Sequence, residues 1–143
     1  MTTKREFERR AHLAQTLQDL GFTAQEVESL RRISNTLQRW HELECGTDGG
    51  CIERDETNGK AYWRSESGRC RYAVPDREAG AKKRLAAILA ARNGREFHTI
   101  LPTAVFAYIQ TDPRGAALYI LRPGDVPAGE DADAYYNRGI CVY

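Results

Sequence analysis

A stripe of apolar residues in segment 24–44 constrains this chain more than any other feature of its sequence. The four side chains of this stripe, which we call the seam, are Leu30, Ile33, Leu37 and Trp40. Because residues three and four apart lie on one face of an α-helix, the spacing predicts a helix over 24–44. Thr23 stands at the N-cap position and Glu26 follows three residues later, which is the pattern of a capping box.

A shorter helical pattern precedes the seam, over residues 4–20. Its apolar positions at the spacing of one helical face are Leu13, Leu17 and Leu20. Gly21 follows as a C-cap, so segment 1–45 is predicted to form a helical hairpin. The seam is too short for a free coiled coil, so it must pack on the first helix, on a sheet or on a second copy of the chain.

Beyond this hairpin the pattern changes to that of strands. "CIERDETNGKAYW" has two strand-like runs around an Asn-Gly pair at 58–59, which is the strongest short signal of a β-hairpin. A Ser-Gly pair at 67–68 gives a second turn before "RCRYAV", which predicts a three-stranded meander that ends at Pro75.

A third helix is predicted over residues 77–92, with Asp76 as its cap and Asn-Gly at 93–94 as its end. Its inner stripe consists of Ala81, Leu85, Ile88 and Leu89.

"TAVFAYIQTDPRGAALYILRPGD" is the clearest hairpin in the chain. Asp112, Pro113 and Gly115 occupy the positions that a type I turn prefers. Both flanking runs are nearly all apolar, so we expect both strands to be central and buried on two faces. "DADAYYNRG" is typical of a helical turn, and "ICVY" of a last strand paired in the sheet.

These elements predict an α+β protein in which an N-terminal helical hairpin is followed by an antiparallel sheet with one further packed helix. The helical hairpin covers 1–45 and the sheet domain 46–143, and we expect the two to form one compact unit. The chain of 143 residues is long enough to bury a core without disulfides. It has no apolar run of membrane-spanning length, and "MTTKREFERR" is too charged for a secretory signal. We therefore expect a cytoplasmic protein whose four cysteines are reduced thiols.

Four strings of the chain, "LRRISNTLQRWHELECG", "CIERDE", "DPRGAALYILRPGDV" and "DADAYYNRG", carry a resemblance. They resemble a group of small proteins encoded in prophages and mobile elements of proteobacteria. The likeness runs from about residue 30 to the end of the chain. It implies a phage-type genomic setting and a host cell as the place of action, and it brings no catalytic residue with it.

A metal site is one interpretation of "RWHELECGTDGGC". His41 and Cys45 are four residues apart and so share a helical face, while Cys51 and Cys70 could complete a set of four ligands. Structural zinc sites usually pair their ligands within two to four residues, and neither Cys45 nor Cys51 has such a partner. The simpler interpretation is a helix-to-strand junction with small thiols, so we expect no metal and no cofactor. A disulfide between Cys45 and Cys51 is a third alternative.

A basic middle segment offers a nucleic-acid or nucleotide interface as an alternative function. Residues 46–95 carry eleven basic and seven acidic side chains, whereas residues 96–143 carry three and six. The candidate residues for stacking and for phosphate contacts are Tyr62, Trp63, Arg64, Arg69, Arg71, Lys82, Lys83 and Arg84. The competing interpretation is ordinary cross-strand pairing, with Arg54 over Trp63 as a cation–π pair.

The helix pair itself fits a helix-turn-helix, in which a second helix enters the major groove of DNA. The residues that would then face DNA are Thr23, Ala24, Gln25 and Glu28. Glu26 and Glu28 would be repelled by phosphates, so a plain helical hairpin is the favoured interpretation.

No catalytic motif stands out. His98 has no nucleophile near it in sequence, and turn chemistry accounts for Asp112 and Arg114. We therefore expect a binding protein that acts without catalysis, as a stoichiometric inhibitor that occupies a host protein or nucleoprotein complex. Its predicted partner surface is the seam with the flanking Arg31 and Arg39, and the same surface would serve in a homodimer.

Overall fold

The mixed α+β class and the order of its elements are confirmed. The computed structural model describes residues 3–46, 49–95, 104–112 and 115–143. The helices are α1 (Lys4–Asp19), α2 (Ala24–Glu44) and α3 (Arg77–Arg95). The strands are β1 (Gly50–Arg54), β2 (Ala61–Ser65), β3 (Arg71–Val74), β4 (Phe106–Asp112), β5 (Gly115–Leu121) and β6 (Ile140–Val142). The helical turn predicted before β6 is present as two 3-10 turns, Ala132–Ala134 and Tyr136–Arg138.

The turn between α1 and α2 is built as the sequence predicts. Thr23 Oγ1 accepts a hydrogen bond from the backbone N–H of Glu26 (3.1 Å), and Glu26 Oε1 accepts one from the backbone N–H of Thr23 (2.9 Å). Gly21 has φ +102°, a left-handed conformation that side-chain-bearing residues rarely adopt. The two helices therefore form the expected hairpin because their local signals fix both ends of the turn.

The C-terminal end of α3 clamps this turn. Arg92 is 2% exposed and its Nε donates to the carbonyl of Leu20 (2.7 Å). Arg95 donates to the carbonyl of Gly21 (3.0 Å) and pairs with the Glu26 carboxylate. The prediction that α3 ends at 93–94 is wrong, because the Asn93 amide bonds both backbone groups of Val105 and the helix continues to Arg95.

Within the described residues, the strands form two antiparallel sheets of three strands each instead of one. The first sheet has the order β1-β2-β3 and is the predicted meander, with Gly59 and Gly68 at positive φ in its two turns. The second sheet has the order β4-β5-β6. Helix α2 contacts β1 of the first sheet and both β5 and β6 of the second, so it is the element that joins them.

Only part of the predicted burial of the β4–β5 hairpin is observed. β5 is the central strand, with Leu118, Ile120 and Leu121 inaccessible to solvent. β4 is an edge strand of its sheet, and its Phe106 is 40% exposed. The prediction that both strands are buried on two faces is wrong for β4, because an apolar run does not distinguish an edge strand from a central one.

Two apolar clusters hold these elements together. The larger cluster lies between the three helices and the inner face of the second sheet, and it includes Leu17, Leu30 and Leu118. The smaller cluster lies between the C-terminal half of α2 and one face of the first sheet, with Trp40 and Ile52 at its centre. The seam contributes to both clusters, so α2 packs against both sheets.

The last strand is paired, as predicted. Ile140 lies opposite Ile120 and Val142 opposite Leu118, and Val142 is 1% exposed. Ser34 of α2 donates a hydrogen bond to the carbonyl of Val142 (2.7 Å). None of the helices among the described residues is long and apolar enough to cross a membrane.

Replacing Glu26 by glutamine tests the clamp on the α1–α2 turn. Burial by itself would raise the pKa of the Glu26 carboxyl, but hydrogen bonds from Arg95 and Thr23 hold that pKa below its ordinary value. A carboxyl with a lowered pKa stabilises the folded chain above its unfolded pKa, and this stability is lost as the pH falls through the folded pKa. Glu26→Gln should therefore lower the free energy of unfolding by about 1 kcal/mol near neutral pH.

Urea denaturation at a series of pH values measures this effect. The difference between Glu26→Gln and the parent chain should shrink between about pH 6 and about pH 3. Glu56→Gln, at an exposed position in the β1–β2 turn, is the control and should change little at any pH. A deficit in Glu26→Gln that persists undiminished in acid would show that charge at this position is irrelevant.

Candidate functional site

The two faces of the first sheet carry different side chains, because successive residues along each strand point to opposite faces. Ile52, Trp63 and Tyr72 lie opposite one another in a single row across β1, β2 and β3. This row faces the C-terminal half of α2. Glu53, Tyr62 and Ala73 form the neighbouring row, which points to the opposite face.

A cleft opens between α2, the facing row of the first sheet and the start of α3. Its volume is about 390 Å³. The residues that line it, which we call the aromatic cleft, are Trp40, Leu43, Ile52, Trp63, Tyr72, Val74, Pro75 and Arg77. A side cavity of about 220 Å³ continues it along α2 and adds Asn35, Thr36 and Arg39 to the lining.

The aromatic residues of the cleft grade from buried to exposed. Trp40 is 3% exposed and forms the floor, while Tyr72 is 57% exposed and forms the outer wall. Trp63 lies between them, with its ring centroid 5.3 Å from that of Tyr72 and the planes tilted by 31°. A large apolar surface is therefore presented on supports that packing already holds in place.

Arg54 stiffens the floor of the cleft. Its guanidinium lies over the Trp40 ring, 5.6 Å from the centroid, and donates to Asp76 (3.0 Å) and Glu78 (3.1 Å) at the start of α3. The prediction that Arg54 stacks on Trp63 is wrong. The register places Arg54 opposite Ala61 and Trp63 opposite Ile52, so the two side chains are not cross-strand partners.

The predicted partner surface is divided by the fold. Leu30, Ile33 and Leu37 belong to the large cluster and are at most 3% exposed, so they cannot anchor a partner while the chain is folded. Trp40 is the one seam residue that reaches the aromatic cleft. Packing against the chain's own sheets therefore replaces the interpretation of the whole seam as an open surface.

The arginines that flank the seam have different positions. Arg31 donates to the carbonyl of Arg10 in α1 (2.6 Å) and so joins the two helices. Arg39 pairs with Glu42 (3.5 Å) and lines the side cavity next to the aromatic cleft. Only Arg39 is therefore at the candidate site.

The basic middle segment does not form one surface. Arg64 and Arg71 lie on the outer face of the first sheet and both pair with Glu53 (3.3 and 3.4 Å). Arg71 also pairs with Asp55 (3.3 Å) and stacks on the Tyr62 ring, 3.8 Å from its centroid. Their charges are thus neutralised within the sheet.

The remaining residues of that set are elsewhere. Trp63 belongs to the cleft on the other face, and Arg69 lies in the exposed β2–β3 turn. Lys82, Lys83 and Arg84 are exposed on α3, where Lys82 pairs with Glu78 (3.6 Å). The predicted set is therefore spread over two faces of the first sheet and the surface of α3, because alternation along the strands sends neighbouring side chains to opposite faces.

The metal candidates are only partly brought together. His41 and Cys45 meet as predicted, with Nε2 and Sγ 3.6 Å apart. Cys51 instead contacts Arg64 (4.0 Å), and all four cysteines are free thiols, so Cys45 and Cys51 are not paired. Among the described residues, no group of three or more His, Cys, Asp or Glu side chains is placed to hold a metal ion.

His41 also contacts the second sheet. His41 Nε2 lies 2.6 Å from the carbonyl oxygen of Asp112, and a carbonyl can only accept, so Nε2 carries the proton. This hydrogen bond ties α2 to the β4–β5 hairpin.

A second cavity of about 410 Å³ adjoins Cys45. It is lined by Glu44, Cys51, Arg64 and Glu66 together with backbone of the glycine-rich turn. Burial raises the pKa of the Glu44 carboxyl, and the negative charge of Glu78 adds to the rise. Because Arg64 is already paired with Glu53, the charged groups left on the lining of this cavity are the carboxylates of Glu44 and Glu66.

Of the four residues proposed to face DNA, one caps a helix and the other three are exposed on its surface. Thr23 is used as the helix cap, whereas Ala24, Gln25 and Glu28 are exposed. The carboxylate of Glu26, which lies beside them, is paired with Arg95. His98 and Arg114 lie outside the described residues.

Sequence reasoning missed more than half of the cleft. Leu43, Ile52, Val74 and Pro75 were not candidates, nor was Arg77 at the first position of α3. The sequence did contain a signal for part of the cleft. The turns at 58–59 and 67–68 fix the strand register, and that register places Ile52, Trp63 and Tyr72 on one face. Comparison of the chain with protein-family models, with curated proteins and with solved structures finds no match.

Proposed function

We propose that this chain is a non-catalytic binding protein that holds another protein in the aromatic cleft. The observation that carries the proposal is the row of Trp63 and Tyr72 above the buried Trp40, open to solvent on its outer side. A folded chain rarely leaves two large aromatic rings at a concave surface without a use for them. Because packing against α2 and α3 holds these rings in place, little conformational entropy of their side chains would be lost when a partner binds.

The chemistry of the cleft is that of a protein interface. Tryptophan, tyrosine and arginine are the residues that most often dominate binding energy between proteins. All three line the aromatic cleft, and the polar Asn35 and Thr36 lie at its extension. An apolar centre with a polar rim is the usual anatomy of such interfaces.

Nucleic acid is the less favoured ligand on electrostatic grounds. Binding to a phosphate backbone depends on several cations that are free to neutralise it. Arg64 and Arg71 are instead paired with Glu53 and Asp55 on the face opposite the cleft. The nucleic-acid or nucleotide alternative therefore rests on the exposed Lys83 and Arg84 of α3.

The resemblance to proteins of mobile elements suggests how binding would be used. We propose that the partner is a host macromolecule and that the chain inhibits it stoichiometrically by occupying a surface. A second copy of this chain is the other occupant that the cleft could accept.

A photo-crosslinker placed at position 72 tests the site. Tyr72→p-benzoylphenylalanine should crosslink to a partner in host cells, and the same replacement at Tyr62 should not. Tyr62 is a matched control, since it lies in the adjacent strand of the same sheet on the opposite face. Crosslinks from position 62 alone would overturn the assignment of the cleft.

Affinity measurements on alanine variants with the purified partner then give the contribution of each tyrosine to binding. Tyr72→Ala should weaken binding by about tenfold, as truncation of an interface hot spot does, while Tyr62→Ala should change it little. Since Tyr72 is largely exposed, its loss should leave the melting temperature nearly unchanged. A captured species that is destroyed by nuclease and whose affinity falls steeply with salt would support the nucleic-acid alternative instead.

A further inference from the structure

Arg77 gives the aromatic cleft a positive rim. It is the first residue of α3, and it lines both the cleft and its side cavity. Its neighbours Asp76 and Glu78 both pair with Arg54 (3.0 and 3.1 Å), and Glu78 also pairs with Lys82 (3.6 Å). Among the described residues, Arg77 has no carboxylate partner of its own.

One further feature favours an anion at this rim. The residues that line the cleft and its side cavity include Arg39 and Arg77 and no carboxylate. Arg39 is paired with Glu42 (3.5 Å), so the attraction for a negative group comes from Arg77. The helix dipole of α3 adds little, because the Asp76 carboxylate already accepts from the backbone N–H of Ala79 (3.0 Å).

We infer that the partner presents a bulky apolar side chain next to a carboxylate, as an acidic segment with an aromatic or large aliphatic residue does. This inference rests on the proposed function and names the chemistry that the cleft selects. The apolar side chain packs on Trp63 and Tyr72, and the carboxylate pairs with the guanidinium of Arg77. Such a pair is charge-assisted and stronger than a neutral hydrogen bond.

The smallest probes of this chemistry are N-acetyltryptophan and N-acetyltryptophanamide. They share one indole ring and differ in that the first carries a carboxylate and the second a neutral amide. Titration of the isotope-labelled protein, followed by backbone amide resonances, should locate both compounds at the cleft. For ligands of this size we expect Kd values on the order of 1 mM.

The expected result is that the carboxylate compound binds about threefold to fivefold tighter than the amide, a difference typical of a partly exposed ion pair. Arg77→Ala should remove that preference and leave the affinity for the amide unchanged. Tyr72→Ala should lower the affinity for both compounds by a similar factor. Lys83→Ala removes an exposed charge from the same helix, outside the cleft, and should alter neither affinity.

Two other outcomes would overturn the inference in distinguishable ways. Equal binding of both compounds at the cleft, unaffected by Arg77→Ala, would leave an apolar docking site without the acidic preference. Absence of any response from cleft resonances to either compound would overturn the acidic anchor and the aromatic cleft together. In the latter case the crosslinking result from position 72 should also be negative.

Discussion

A chain that carries both Leu37→Ser and Trp40→Ser is expected to lose its cooperative fold. Leu37 packs in the large apolar cluster and Trp40 in the small one, and each is 3% exposed. Truncation of a buried leucine costs about 2–5 kcal/mol and that of a buried tryptophan about 3–5 kcal/mol. Together these losses are comparable with the whole stability of a domain, about 5–15 kcal/mol.

Circular dichroism and thermal unfolding measure this result. Arg39→Ser is the control, because Arg39 lies between the two positions in sequence and its side chain is exposed, and this variant should shift the melting temperature little. If the double variant instead stayed folded and lost only a partner or a dimer, the seam would be a surface after all. That outcome would contradict the packing of α2 between the two sheets.

Deletion of the last four residues, 140–143, should have the second largest effect. It removes β6, in which Val142 is buried and Ile140 packs against the large cluster. It also leaves the Ser34 hydroxyl without its acceptor and exposes an edge of β5 to solvent. With roughly 1.5–3 kcal/mol for each large side chain withdrawn from the core, we expect a loss of about 3–6 kcal/mol.

A shorter deletion separates this effect from that of the terminal side chain. Tyr143 is 44% exposed, and its hydroxyl donates to the carbonyl of Arg9 in α1 (3.2 Å). Removal of Tyr143 alone should therefore cost about 1 kcal/mol, the usual net value of one hydrogen bond. The longer deletion should in addition aggregate, because an unprotected edge strand can pair with another chain. An unchanged unfolding midpoint for the longer deletion would mean that β6 is not part of the stable sheet.

Both expectations depend on the central position of α2, which the sequence indicated only in part. Leu30, Ile33, Leu37 and Trp40 were visible as a seam, and the seam had to be covered by something. Which of the three possible covers applied depended on contacts with residues more than seventy positions away, such as Leu118 and Val142. A periodic pattern reports that a face is buried and not what buries it.

The sequence by itself determined the elements that depend on neighbours along the chain. The capping box of Thr23 and Glu26 fixed the start of α2, and the turns at 58–59 and 67–68 fixed the register of the meander. Alternation in that register also places Trp63 and Tyr62 on opposite faces of the first sheet. These features follow from local hydrogen bonding and backbone geometry, which act over a few residues.

Only the tertiary structure decided the features that depend on residues far apart in sequence. The division of the strands into two sheets, the edge position of β4 and the extension of α3 to Arg95 are of this kind. So is the aromatic cleft, since Trp40, Tyr72 and Arg77 come from three different elements. Among the described residues, Arg77 lacks a carboxylate partner because Arg54 pairs with both of its acidic neighbours. Such pairings are set by packing and by the distribution of charge in space, and no local pattern in the sequence encodes them.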